Sequence, residues 1–481
     1  MITFITCLAI LIIGYFTYGT YVSKSVKLDD LNTTPAVKLE DGVDYMPMPW
    51  HKVFLIQFLN IAGTGPIFGA IMGALFGPVA FLWITFGTIF AGGVHDFFSG
   101  VISMKHDGTS VSEIVGIYLG DSMKNVMRVF SVILLILVGT VFVTSPAGLL
   151  TSMTGIDKTI WVVLIIVYYI VATVLPVDKV IGKIYPIFGA SLLFMAIGLA
   201  GAMIVGHFNG SMVMPEMTLQ NLHPSGLSVF PFLFTTIACG ALSGFHATQS
   251  PMMARCINRE SESKRVFYGA MVVEGIVALI WCAVTIAFFG ESGAIQAALD
   301  SFGGQSGVVG MISKELLGPI GAVLAVLGVV ACPITSGDTA FRSARLTIAD
   351  AFNIKQEGLL SRFKLAIPLF VVCIFLTTID FNIIWRYFAW SNQTLATIFL
   401  WTATVYLLKN KGNHWITLIP ATFMSAVCMS YILQAPEGFK LNAQLSNIVG
   451  VIFAVVLFGL FMLNINKFKS NTEKNQKFLN I

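Results

Sequence analysis

Apolar runs long enough to cross a bilayer recur along the whole chain, and that recurrence excludes most architectures at once. A hydrocarbon core of about 30 Å takes about 20 apolar residues as a helix. Thirteen such segments lie at 2–21, 53–71, 73–98, 127–150, 160–176, 184–206, 229–252, 266–290, 317–345, 363–379, 384–407, 415–433 and 446–465. With 56% of its 481 residues hydrophobic and 11% charged, the chain lacks the polar surface that a soluble protein of this size shows to water. Backbone amides in lipid find no water, so each must bond within its own helix. The expected class is an all-α polytopic membrane protein with about 13 transmembrane helices. The first run, ITFITCLAILIIGYFTYGTYV, lacks a basic leader and a small-residue cleavage site, and reads as a retained span.

Basic residues give the direction. If the N-terminus is placed outside and the spans alternate, only Lys158, Lys314, Arg386 and Lys440 fall outside, leaving 24 of the 28 Lys and Arg inside. One span miscounted would scramble this bias downstream. The expectation is therefore a cell inner membrane protein with its N-terminus out and C-terminus in. The net charge of +4 sits in short loops and does not point to nucleic acid. No loop is long enough for a soluble domain, and the tail 466–481 reads as a solvated basic segment in contact with the lipid surface.

Two spans carry residues that oppose a membrane helix. NIAGTGPIFG, 60–69, places Asn60, Gly63, Thr64, Gly65 and Pro66 inside an apolar run. CGALSGFHATQSP, 239–251, does the same with Gly240, Ser243, Gly244, His246, Thr248, Gln249 and Pro251. A break survives in lipid only beside protein or a water-filled cavity. The two breaks are five spans apart and so cross in opposite directions. That is the pattern of two inverted five-span repeats, here 53–206 and 207–407. One helix with a linker precedes them (1–52), and two helices with the tail follow (408–481). The bland alternative is close helix packing at glycine, which spacings such as Gly65, Gly69 and Gly73 also fit. Half-helix ends at a break offer N–H groups to an anion and C=O groups to a cation.

The ninth span reads AVLGVVACPITSGDTAFRSARL, with Thr335 and Ser336 one helical turn after Cys332. Their hydroxyls face the cation side of such a break or bond back to their own helix. Glu274 and His246 are ionisable groups at membrane depth and therefore candidates for carrying a proton. Asn392 and Gln393 of WSNQT lie near the midplane, where amides read a substrate or hold helices together. His95–Asp96 and His106–Asp107 flank the loop after the third span, where ordering that loop is the favoured role; no metal-ligand spacing accompanies them. The i,i+4 pair Asp338 and Arg342 reads as an interfacial ion pair. The seven cysteines are scattered, with no CxxC, and read as buried hydrophobes.

FLNIAGTGPIFGAIMGALFGPVAFLWI, GGVHDFFSGVISMKHDGTSVSEIVG, CGALSGFHATQSP and ITSGDTAFRSARL together resemble the carbon starvation A (CstA) family over roughly 50–380. The resemblance implies a transporter of peptides, with some members moving pyruvate. It also implies the LeuT-like 5+5 inverted repeat with two broken helices. In sodium-coupled relatives of that fold, one ion is held by carbonyls of the first core helix and hydroxyls of the eighth. That points to Ala62, Gly63 and Gly65 for carbonyls and Thr335 and Ser336 for hydroxyls. The expected activity is ion-coupled secondary transport of a small-molecule nutrient, not an enzyme reaction, with no cofactor and with Na⁺ or H⁺ as coupling ion. The expected substrate-binding set is Asn60, Gly63, Thr64, Gly65, Ser243, Gly244, His246, Gln249, Asn392 and Gln393. A membrane sensor or channel-like protein is the alternative, although no charge ring or filter loop is present.

Overall fold

The structure, a computed structural model, describes all residues except 43, 174–176, 353, 355, 357 and 480–481; the side chains of 177–186 and 469–479 are also outside the description. Of the basic residues used for orientation, Lys179, Lys183, Lys355, Lys469, Lys474 and Lys477 thus have no described side chain.

Helices occupy each of the thirteen apolar segments. We number the main ones α1 Ile2–Lys24, α2 Trp50–Ile61, α3 Gly65–Ala74, α4 Ala80–Lys105 and α5 Asp121–Thr154. Then come α6 Lys158–Ala172, α7 Val177–Phe208, the short α8 Phe234–Thr236, α9 Gly244–Ala254 and α10 Glu260–Phe289. The last five are α11 Gln305–Ala351, α12 Leu359–Thr377, α13 Phe381–Lys409, α14 Trp415–Gln434 and α15 Ala443–Leu479. Among the described residues, nine helices are long and apolar enough to cross a membrane, or ten if the bent pair α2 and α3 is one span. The remaining segments fall short for physical reasons: α6 has 15 residues, α8 and α9 are halves of a broken helix, and α13 is rich in polar side chains.

The expected break at 60–69 is present: α2 and α3 meet at a bend of 50°. The third span differs from expectation. Read as 73–98, it runs instead to Lys105, because Phe97, Phe98, Val101 and Ile102 continue an apolar, fully buried face beyond the polar His95–Asp96 pair. That extension moves His95 and Asp96 from a loop end into the protein interior.

The two ends of the bundle differ in composition. At one, the 22–52 linker lies across the turns 105–109 and 255–262. Met46 and Met48 N–H donate to Arg255 and Cys256 carbonyls, Lys38 pairs with Asp107 at 3.0 Å, and Lys105 with Glu260 at 2.6 Å. His106 Nδ1 bonds the Ile102 carbonyl at 2.9 Å, so the His106–Asp107 pair orders this turn. At the other end, Glu216 accepts from the Ile2 and Thr3 N–H groups, and Arg386 pairs with Glu437. Asp338 and Arg342 pair at 3.5 Å along one helix face, and all seven cysteines are buried and free.

Candidate functional site

The first break is open and polar. Residues 56–71 are all buried, yet Gln57 Nε2 and Oε1, Asn60 Oδ1 and Thr64 Oγ1 have no hydrogen-bond partner. Thr64 precedes α3 without capping it through its side chain, and Pro66 stands in the first turn. The α3 N-terminus therefore presents uncapped N–H groups beside three unpartnered polar side chains. Unpaired polar groups at such depth cost about 1–3 kcal/mol each unless something binds them. Gly63 and Gly65 allow close approach: a Cβ would stand 2.8 Å from the Phe142 ring and 2.5 Å from Cys239 Sγ, respectively. The second contact joins the two breaks.

The second break, between Thr236 and Gly244, is by contrast closed by side chains. Trp83 Nε1 donates to the Ile237 carbonyl at 3.3 Å and Thr88 Oγ1 to that of Gly240 at 3.1 Å. Gln393 Nε2 reaches the carbonyls of Phe234 (3.2 Å), Ala238 (3.4 Å) and Leu242 (3.1 Å). Asn392 Oδ1 accepts from the Phe245 N–H at 2.7 Å and caps α9, while its Nδ2 donates to Ser243 Oγ at 3.1 Å. Ser243, Asn392 and most of Gln393, expected to read a substrate, are thus engaged in holding the broken helix. Two free atoms remain nearby, Gln393 Oε1 and Gln249 Oε1. Gly244 lets α9 lie on α13: a Cβ there would sit 2.4 Å from the Asn392 carbonyl oxygen and 2.6 Å from Ala396 N. Backbone cannot step aside as a side chain can, so Gly244→Ala is expected to lose about 1–3 kcal/mol of stability. The thermal unfolding midpoint in detergent reads this; an unchanged midpoint contradicts the packing.

Four ionisable side chains from three helices meet beneath the second break, all with no solvent exposure: His95 and Asp96 on α4, His246 on α9 and Glu274 on α10. Asp96 Oδ1 lies 2.8 Å from His95 Nδ1, and Asp96 Oδ2 lies 2.8 Å from His246 Nδ1. A carboxylate only accepts, so both imidazoles carry hydrogen on Nδ1, an assignment made from the partners. His246 then turns Nε2 toward Glu274 Oε2 at 3.4 Å. Two lone-pair atoms facing one another in a dry interior repel unless a proton lies on one of them. The His246–Glu274 pair therefore leaves polar atoms without hydrogen-bond partners in the interior, with Asp96 holding the ring. Ser99 and Ser250 bond at 2.8 Å beside it and fasten α4 to α9. Cys239 also faces His246.

At the expected cation site, Thr335 Oγ1 bonds back to the Cys332 carbonyl at 2.7 Å. Ser336 Oγ instead crosses to the Leu59 carbonyl at 3.3 Å, so the hydroxyl meets the end of α2 one turn before Ala62. Sequence reading gave His95–Asp96, near the end of the 73–98 span, a loop-ordering role rather than a place beside His246, and it passed over Gln57, the lone amide in VFLIQFL.

The family model described as carbon starvation protein CstA matches residues 1–155 and 143–307. The peptide transporter CstA of Campylobacter jejuni is 26% identical over 601 aligned positions, covering 98% of this chain and 85% of that one. The pyruvate/proton symporter BtsT of Escherichia coli is 27% identical, over 57% of this chain and 47% of its own length. Among solved structures, a Na⁺-coupled sialic acid symporter superposes with TM-score 0.55 at 14% identity, covering 96% of this chain and 97% of that one. That likeness extends the LeuT-type architecture to the present helices. A multi-pass membrane protein with two broken helices and these matches, the chain belongs to the carbon starvation protein CstA family.

Proposed function

We propose that the protein is a secondary active transporter that imports a small carboxylate-bearing nutrient by proton-coupled alternating access. The observation that carries the reading is the buried His246–Glu274 pair, 3.4 Å apart and with no hydrogen-bond partner at Nε2 or at the carboxyl oxygens, which reads as a site for one proton. A titratable pair at membrane depth is costly unless it serves transport. The substrate carboxylate is assigned to the uncapped α3 N-terminus at Thr64–Gly65, with Gln57, Asn60 and Gln249 around it. Relatives named for peptide transport and for pyruvate/proton symport support the substrate range and the ion. Helices 53–206 and 207–407 form the inverted repeats. The end bearing Lys38, Lys105 and Arg255 faces the cytoplasm of an inner membrane, so the N-terminus lies outside.

Sodium coupling is the second reading, favoured by the approach of Ser336 Oγ to the Leu59 carbonyl. Proteoliposome uptake of labelled dialanine and labelled pyruvate, under an imposed H⁺ or Na⁺ gradient, separates the readings. Accumulation is expected with the proton gradient alone; accumulation with sodium alone moves the coupling to Ser336. Absence of accumulation under both gradients, by folded and correctly inserted protein, overturns the transport reading.

A further inference from the structure

Outward of the breaks, a cavity of about 330 Å³ lies between α3, the α8 turn, the helix Ser292–Ser301 and α13. Met72, seven residues beyond Gly65, is in its wall, so the cavity stands about 10 Å from the first break along α3. Its volume falls in the range of small-molecule sites. The walls mix aromatic rings (Phe76, Trp385, Tyr431) with Arg386 and Asp300, which carry opposite charges. Arg386 is one of the four basic residues that the orientation places outside, and no inside-positive rule accounts for it.

The two charges are not a pair. Arg386 is fixed through Nε to Glu437 Oε2 at 3.1 Å, and the Tyr431 hydroxyl donates to the other Glu437 oxygen. The Glu437 side chain is 3% exposed and that of Arg386 39% exposed. The guanidinium is thus anchored through Nε on buried Glu437, and Arg386 also lines the cavity. Asp300, on a different element, is exposed and steadied by Gln296 Nε2 at 3.0 Å. Opposite charges on separate elements, in a cavity that aromatic rings also line, match a ligand that carries both an ammonium and a carboxylate. Pyruvate satisfies only one of them and would face the Asp300 carboxylate with an anion.

We infer that this cavity is an entry vestibule that selects zwitterions, short peptides or amino acids, by placing the carboxylate on Arg386 and the ammonium on Asp300. The inference rests on the transport reading for the direction of entry, although the binding itself does not. From here the zwitterion passes to the α3 N-terminus, which needs only its carboxylate.

The test is calorimetric titration of the purified full chain with dialanine, N-acetyl-dialanine and pyruvate. Dialanine is expected to bind more tightly than either of the others. Asp300→Asn should weaken dialanine about fivefold, the upper range for an ion pair that keeps contact with water, and leave N-acetyl-dialanine unchanged. Arg386→Lys keeps the charge beside buried Glu437 but loses the planar fork, and should weaken both dipeptides. Equal affinity of wild type and Asp300→Asn for dialanine, or equal weakening of dialanine and its acetylated form, overturns the vestibule. Proteoliposome uptake keeps the two readings apart. Accumulation of dialanine by Asp300→Asn with an unchanged KM removes the vestibule and leaves transport standing. Charge-dependent binding without accumulation under any gradient does the reverse.

Discussion

Glu274→Gln protein is expected to exchange substrate across a membrane yet fail to concentrate it. Asp96 fixes His246 through Nδ1 and leaves Nε2 at 3.4 Å from Glu274 Oε2, the pair to which we assign the coupling proton. Glutamine keeps the shape of the side chain and offers an N–H to Nε2, so the local packing persists while the titrating carboxyl is gone. With one proton per substrate, a gradient of one pH unit supplies about 1.4 kcal/mol, or about tenfold accumulation. In the variant that ratio should fall to about one, with counterflow of labelled against unlabelled substrate retained. Glu274→Asp should restore part of the accumulation because the titratable group returns. Tenfold accumulation by Glu274→Gln would falsify the assignment. His246→Ala is a harsher change: it leaves Asp96 Oδ2 without its donor in the interior, where breaking a charged pair costs about 3–5 kcal/mol. A loss of folded protein there is consistent with the same geometry and is not a test of coupling.

Gln393→Leu is expected to destabilise the protein more than any single change at the first break. One amide group supplies the donors for the carbonyls of Phe234, Ala238 and Leu242. An amide carries two N–H groups and Ala238 keeps the Leu242 N–H, so losing the amide leaves about two buried acceptors short by about 1–3 kcal/mol each, about 2 kcal/mol or more in sum. The readout is the unfolding midpoint in detergent, measured beside Gln249→Leu, which removes an amide whose Oε1 has no partner. The Gln393 variant should fall by clearly more, while any folded fraction should keep the wild-type KM. If instead its midpoint is unchanged and KM rises, Gln393 reads substrate and its bonds to the broken helix carry little.

These two expectations divide the polar residues of the interior into two kinds that composition does not separate. Asn392, Gln393 and Gln249 are all buried amides, and an amide at membrane depth satisfies both readings equally well. Their use depends on which backbone atoms a second, distant helix leaves open. Helix α13 lies on α9 because Gly244 offers no side chain, and only that contact puts Asn392 on the Phe245 N–H. The same holds for Asp96, whose neighbours His246 and Glu274 are about 150 residues or more away in the chain.

What the sequence determined by itself is what lipid enforces locally. Apolar runs of helical length and the positions of the two breaks follow from short-range rules, since backbone amides in a bilayer are satisfied mainly within their own helix. Glycine and proline at 63–66 and glycine at 240–244 disfavour a continuous helix, and the polar residues clustered beside them favour a break over mere close packing. What the tertiary structure decided is which break is closed and which is open, and where the ionisable groups meet. Gln57, Asn60 Oδ1 and Thr64 Oγ1 remain without partners while the carbonyls of Ile237, Ala238, Gly240 and Leu242 are occupied, because Trp83, Thr88 and Gln393 arrive from other helices. Hydrogen bonds of that kind depend on distances of about 3 Å between residues far apart in the chain. Periodicity along one segment carries no information about them.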